Sequence, residues 1–327
     1  MKLGQTILAA ALALGTGAGA ALAQQEIIFG ISATPTSLQG QTAHEFARRA
    51  NEKLGDAAVV KVFDSSQLGK DKDMLQKLKI GTMHMTLPSS VMPEIAPEYA
   101  IFDLPFLVAD RDHLARIDDT FFKDVLVPAA EAEGYRPLAV WENGFRHITN
   151  NVKPINTPAD LAGLKIRTPN SSWRVAMFSE YGANPTPMSF SEVFVSLQTN
   201  VIDGQENPLT NITGAKLQEV QKYLSLSNHV YSPAYPTVGV AVFEKLDPEV
   251  QKVLAETAQE MALWARETGG AAEGKLLDEL KAAGMEVNTA DRQAFVAASA
   301  PLYSKFASEV EGGQAMIDSV LSLAGGS

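Results

Sequence analysis

The chain has no cysteine. That excludes disulfides, thiolate metal sites and a cysteine nucleophile. It also excludes a lipid anchor, which needs a cysteine at the mature N-terminus. Basic residues are in deficit, 27 Lys and Arg against 38 Asp and Glu, for a net charge of -11. A nucleic-acid binder carries a basic balance and a basic patch, and neither is present. The phosphate-cradling G-x-x-x-x-G-K-[ST], the nucleophile elbow G-x-S-x-G and the zinc signature H-E-x-x-H are all missing. Five histidines (His44, His84, His113, His147 and His229) are scattered without a pair at metal-ligand spacing. No two carboxylates are paired in the linear order for acid–base work. The expectation is a protein that catalyses nothing and holds neither metal nor cofactor. Long apolar runs are lacking too. The longest, Ile7 to Leu14, falls short of the ~20 residues that a membrane span needs.

That short run has a different meaning. Lys2 precedes it, and small residues ending in Ala21-Leu22-Ala23 follow it. A basic start, an apolar middle and an A-x-A end make a secretory signal, with cleavage expected after Ala23. Residues 1–23 are therefore read as a signal peptide, and the periplasm as the destination. Lys2 is the only charged side chain in this segment, so its removal takes the net charge from -11 to -12. An acidic protein that binds an anion must gather its positive charge at one place.

The remainder is long for one domain and alternates strand and helix patterns. Glu26 to Ser32, Ala58 to Phe63 and Met83 to Leu87 read as strands, separated by helical spacing over Gln41 to Leu54 and Asp71 to Ile80. Gly55 and Gly81 supply the helix stops. Pro88 to Pro105 reads as a Pro-punctuated loop. Helices are expected over Arg111 to Ile117, Phe121 to Glu133, Ser172 to Tyr181 and Ser191 to Thr199. Further strands are expected over Tyr135 to Trp141, Phe145 to Asn151 and Leu164 to Thr168. Thr157-Pro158-Ala159-Asp160 has the residues of a capped helix start. From Asp247-Pro248, helical spacing runs to about Ala283, with Gly269-Gly270 read as a bend. This alternation implies α/β architecture with largely parallel pairing.

Three segments carry most of the functional signal. Trp141-Glu142-Asn143-Gly144-Phe145-Arg146 is an aromatic turn that feeds an arginine into a strand. In Leu161 to Pro169 an apolar strand ends on Arg167 just before a proline. The third runs from Gly182 through Pro185, Pro187, Met188 and Phe190 to Asp203-Gly204-Gln205-Glu206-Asn207-Pro208. Upstream stand Gln67-Leu68-Gly69 and Phe102-Asp103-Leu104-Pro105-Phe106. In this order and spacing the set resembles the solute-binding proteins of tripartite ATP-independent periplasmic (TRAP) transporters, the DctP-type family. The likeness covers nearly the whole chain after residue 23. Two positions depart from the family pattern: Ser196 stands where alanine is usual, and Asn200 where glycine is usual. Asparagine tolerates a left-handed backbone, so the turn at Asn200 can be kept.

The resemblance implies a two-lobed periplasmic-binding-protein fold: mixed sheets flanked by helices, crossing hinge strands and a long lobe-spanning helix. Lobe I is expected to take 24–144 and about 233–272, lobe II about 145–232 and 273–327. It further implies a small organic acid held in the cleft, with Arg167 in a two-point salt bridge to its carboxylate. Guanidinium is planar and permanently charged, and its fork matches two carboxylate oxygens. Asn207 matches a ligand-holding asparagine, Arg146 a second arginine, and Phe190 a ring that packs on the ligand's carbon skeleton. Arg146 has an alternative use, bracing Arg167 or a carboxylate such as Glu206. Ser89 and Trp173 are further candidates, for a polar contact from lobe I and for the rim. The implied partners are the membrane subunits of the transporter, with the chain itself a monomer. A solute-binding protein of an ABC importer or of a sensor kinase is the alternative. C4-dicarboxylates, 2-oxo acids, sugar acids and sulfonates all suit one Arg-anchored cleft.

Overall fold

The structure is a computed structural model in which residues 24–325 are described; the expected signal peptide lies outside them. No helix among the described residues is long and apolar enough to cross a membrane.

Thirteen strands form among the described residues: β1 (Gln25–Gly30), β2 (Ala58–Phe63), β3 (Met85–Thr86), β4 (Tyr135–Pro137), β5 (Trp141–Phe145), β6 (His147–Asn150), β7 (Lys165–Thr168), β8 (Asn184–Pro187), β9 (Gly204–Asn207), β10 (Tyr223–Leu226), β11 (Tyr231–Ala234), β12 (Thr237–Gly239) and β13 (Glu286–Thr289). They build two mixed sheets. One has the order β2-β1-β3-β12-β4, the other β13-β10-β6-β9-β7-β8. In the first, β1 pairs in parallel with β2 and β3, and β12 closes antiparallel. In the second, β7 is parallel to both β8 and β9. Between the sheets β5 and β11 pair antiparallel. Each sits in a chain segment that runs from one sheet into the other, so this ribbon joins the lobes.

The expected strand from Tyr135 to Trp141 is in fact two, broken at Leu138-Ala139-Val140. These three residues are buried, and they carry the chain from the first sheet to the ribbon. Burial on every side removes the alternation that would have marked the break. The Pro-rich loop holds two tight 3₁₀ segments, Met92–Glu94 and Pro97–Asp103. The expected helix from Phe121 starts earlier, as a wide π-turn segment over Asp118–Leu126, and continues as α-helix over Val127–Ala132.

The long helix spans Pro248–Ala282, opened by the Asp247 side chain, which accepts from the Glu249 N–H. It packs on helix Leu38–Leu54, on β5 and on helix Leu209–Gly214 before leading into β13, and so it touches both lobes. Gly269-Gly270 does not interrupt it. Close packing accounts for Gly269 instead: a Cβ there would lie 2.5 Å from Glu142 Oε1 and 2.8 Å from Leu38 Cδ2. The last helices turn back to the Pro-rich region, where His113 Nε2 meets the Val320 carbonyl at 2.8 Å and Tyr303 donates to the Pro105 carbonyl.

Candidate functional site

Open α/β sheets take their ligands outside the carboxyl ends of their parallel strands. Here the ends of β1 and β3 in one sheet face those of β7 and β9 in the other. Between them lies a narrow cleft of about 440 Å³, mouth included. Arg146, Arg167, Asn207, Phe190 and Ser89 all line it, so the folding brings five of the six sequence candidates together. Trp173 is elsewhere. It is buried, its ring 5.6 Å from that of Phe306 in an edge contact and capped by Lys305, and it does not line the cleft. The helical spacing of Ser172–Glu180 turns it to the core, while Arg174, the next residue, reaches Ser232 on β11 and Asp103.

Arg167, near the end of β7, is 3% exposed. Its Nε and Nη2 donate to the Met188 carbonyl at 3.0 and 2.6 Å. Those two bonds fix the plane of the guanidinium and leave the rest of its donors unused among the described residues. Among the described residues no carboxylate lies within salt-bridge distance of it. Burial, with the Arg146 charge nearby, pulls its pKa down to about 10, so it remains a cation at neutral pH. A buried cation without a counter-ion is costly unless one arrives.

Arg146 is placed differently. Leaving β5, it grips both carboxylate oxygens of Glu206, donates to the Glu206 carbonyl at 2.6 Å, and reaches Asn207 Oδ1 at 3.2 Å. Arg174 adds a contact to Glu206 at 3.4 Å and binds Asp103 at 2.8 Å, and His229 Nε2 lies 3.2 Å from Glu206. Burial alone would raise the Glu206 carboxyl; the Arg146 and Arg174 charges outweigh it and hold the group well below the usual carboxylate range. The charge on Arg146 is thus already neutralised. Of the two uses expected for it, bracing Glu206 is the one its bonds satisfy.

Asn207 ends β9. Its Oδ1 accepts from Arg146 and, at 3.2 Å, from Asn211, and its Nδ2 donates to Gln205. One N–H remains for another partner. Ser89 donates to the Pro233 carbonyl at 2.6 Å and accepts from Asn143. Phe190 is half-buried at the cleft wall, at the start of a 3₁₀ turn whose Ser189 and Glu192 form a capping box. At the mouth, Lys70 meets Glu192 at 3.0 Å, and Glu94 accepts the Ser172 N–H at 2.8 Å, so the two sides are tied in this conformation.

Sequence reasoning missed Asp71, Gln39 and Asn211, which also line the cleft. Asp71 opens the helix Asp71–Ile80, two residues after Gln67-Leu68-Gly69. Burial raises its carboxyl, opposed by the Ser32 hydroxyl and the Arg167 charge. Its position at a helix start next to a singled-out motif was the available signal. Gln39 and Asn211 carried none.

Comparison with known proteins gives the family. Residues 29–309 match the DctP family, described as bacterial extracellular solute-binding protein, family 7. The chain belongs to this family. It is 40% identical over 276 residues, 84% of each chain, to the 2,3-diketo-L-gulonate-binding periplasmic protein YiaO of Escherichia coli K12. It is 32% identical over 314 residues, 94% of each chain, to the C4-dicarboxylate-binding periplasmic protein DctP of Rhodobacter capsulatus. Among solved structures, a TRAP periplasmic solute binding protein from Polaromonas sp. JS666, bound to D-erythronate, superimposes with a TM-score of 0.88 at 33% identity, covering 93% of this chain and all of the other. As a family 7 solute-binding protein of the TRAP type, the chain has the two-lobed form of these neighbours, as its sequence implied.

Proposed function

We propose that this chain captures a small organic acid in the periplasm and hands it to the membrane subunits of a TRAP transporter, without chemical turnover. Export by the segment 1–23, removed after Ala23, places it there. The ligand carboxylate docks on the unused edge of Arg167, Asn207 offers its remaining N–H, and Phe190 covers the carbon skeleton. The reading rests above all on Arg167: a buried arginine with two donors tied to a carbonyl, no salt-bridge partner among the described residues, and a narrow cleft before it. Such a group gains more from an incoming carboxylate than an exposed arginine does, because solvent no longer competes. Ser89, already bonded to Pro233 and Asn143, shapes the floor of the cleft. Arg146 acts through Glu206 and Asn207, holding the end of β9 in position.

Capture by closure follows from the two-lobed form. An acid that touches both walls favours the closed state by its differential contacts. Relatives named for 2,3-diketo-L-gulonate, C4-dicarboxylate and sialic acid binding support an organic acid as the cargo. A thermal-shift screen of the mature protein against organic acids tests the proposal. A ligand at a hundredfold excess over its Kd adds ~2.7 kcal/mol to native stability. The expected result is a shift with one or more carboxylates that disappears in Arg167→Ala. A shift that survives the substitution, or one produced by amines or peptides alone, overturns it.

A further inference from the structure

Beyond the carboxylate anchor, the walls of the cleft specify the rest of the ligand. Among the charged side chains that line it, Arg146 is matched by Glu206 and only Arg167 is free to receive an anion. The wall supplied by the first sheet and its helices offers Ser32, Gln39, Asp71, Ser89 and Ser90, with no Lys, Arg or His. A second carboxylate on the ligand would lie against this wall with no cation to meet it, and with a carboxyl, Asp71, beside it. Like charges brought together in a poorly solvated cleft repel strongly.

The same surfaces are rich in hydrogen-bond capacity that the protein leaves unused. Asn211 is 4% exposed, yet its Oδ1 has no hydrogen-bond partner among the described residues. Its Nδ2 is fixed by Asn143 at 3.0 Å and Asn207 at 3.2 Å, so that oxygen cannot swing to find one. Gln39 is nearly as buried and makes no side-chain hydrogen bond among the described residues. An orphaned acceptor and a carboxyl both call for a donor. Carboxylates have none to give, whereas each hydroxyl donates one hydrogen and accepts as well. A buried acceptor left unpaired is penalised, so a ligand without hydroxyls is rejected by the site itself.

On these grounds we infer that the ligand is a singly charged, polyhydroxylated carboxylic acid of the sugar-acid class, its hydroxyls directed at Asp71, Gln39 and Asn211, and that dicarboxylates are excluded. This rests on the carboxylate capture proposed above and narrows it. Asp71 forms no salt bridge among the described residues, and burial raises its carboxyl against the opposing Ser32 hydroxyl and Arg167 charge.

Calorimetric titration of the mature protein with a panel of C4 to C6 aldonates and uronates, with succinate and with butanoate tests it. The expected result is binding of at least one sugar acid, with succinate and butanoate each at least 100-fold weaker. Asp71→Asn, checked for an unchanged circular dichroism spectrum, should bind the sugar acid about tenfold more weakly and narrow the gap to succinate. Succinate or butanoate binding within tenfold of the best sugar acid overturns the inference and leaves carboxylate capture standing. If no acid in the panel binds, capture itself has failed. An Asp71→Asn protein with both affinities unaltered removes Asp71 from the assignment.

Discussion

Replacing Arg167 by methionine separates a ligand anchor from a structural arginine. Both kinds are buried, and both are expected to matter; they differ in what the empty protein gains from them. Burial lowers the Arg167 pKa from 12.5 to about 10. At ~1.4 kcal/mol per unit, the charge sits about 3 kcal/mol less comfortably here than in water. Methionine keeps the apolar stem and removes that penalty. It also strands the Met188 carbonyl, which loses two donors at 3.0 and 2.6 Å; an unsatisfied buried acceptor costs about 1–3 kcal/mol. The two terms nearly cancel, so the ligand-free variant should melt within a few degrees of the wild type, on either side. Binding should collapse. Two charge-assisted hydrogen bonds at about 1.5–3 kcal/mol each amount to roughly 10²–10⁴ in Kd.

The assay is a pair of melts and a titration. Differential scanning calorimetry without ligand reads the first quantity, and isothermal titration with the best acid from the screen reads the second. If Arg167 were a structural ion-pair partner, removing it would cost about 3–5 kcal/mol, a fall in Tm of roughly 6–20 °C. A variant that melts that much lower refutes the reasoning even if it fails to bind, because the loss of binding would then follow from unfolding. A variant that melts normally and still binds refutes it from the other side.

Glu206→Gln should behave in the opposite way. It leaves Arg146 and Arg174 without their shared carboxylate, so the empty protein should lose about 3–5 kcal/mol, read by urea denaturation. His147 is fully enclosed, and burial holds its pKa at about 3 against 6.5 for an ordinary histidine. Between those values the unfolded chain binds a proton that the folded chain does not, so this group makes stability fall as pH falls, by up to about 3 kcal/mol at pH 4. In His147→Asn the loss between pH 7 and pH 4 should shrink; parallel stability–pH curves for variant and wild type would refute this. Gly269→Ala drives a Cβ to within 2.5 Å of Glu142 Oε1 and should destabilise by about 1–3 kcal/mol. Gly274→Ala, in the same helix with open space around it, should stabilise by about 1 kcal/mol. Melting curves of the two alanine variants that move the same way contradict the packing account of Gly269.

Helix boundaries set by local chemistry were readable from the sequence. Asp71–Ile80 forms with the expected limits, because an acidic start, a glycine stop and a one-sided apolar face are all encoded within a few residues; Arg111–Ile117 starts as expected where Asp110 caps it, and runs on directly into the π segment. The same holds for the capping box at Thr157 and Asp160. What depends on distant packing was not readable. Tyr135 to Trp141 reads as one strand because Leu138 to Val140 are apolar, and nothing local tells that these residues leave one sheet for another. Gly269-Gly270 reads as a helix bend because the cost of glycine is local, while its benefit, room for Glu142 and Leu38, comes from residues more than a hundred positions away.

The site divides along the same line. Arg167 stood out as a candidate because a strand-ending arginine before Pro169 has its own pattern, and the structure adds that it forms no salt bridge among the described residues. Arg146 looked equivalent from its pattern, but its 60-residue link to Glu206 converts it from a free cation into half of an ion pair. That one contact changes how many anionic charges the cleft can hold. Two free arginines would favour a dianion; one free arginine facing Asp71 favours a single carboxylate and hydroxyl groups. The specificity of the cleft therefore depends less on which residues line it than on which of their charges the protein has already neutralised, and only the folded chain determines that.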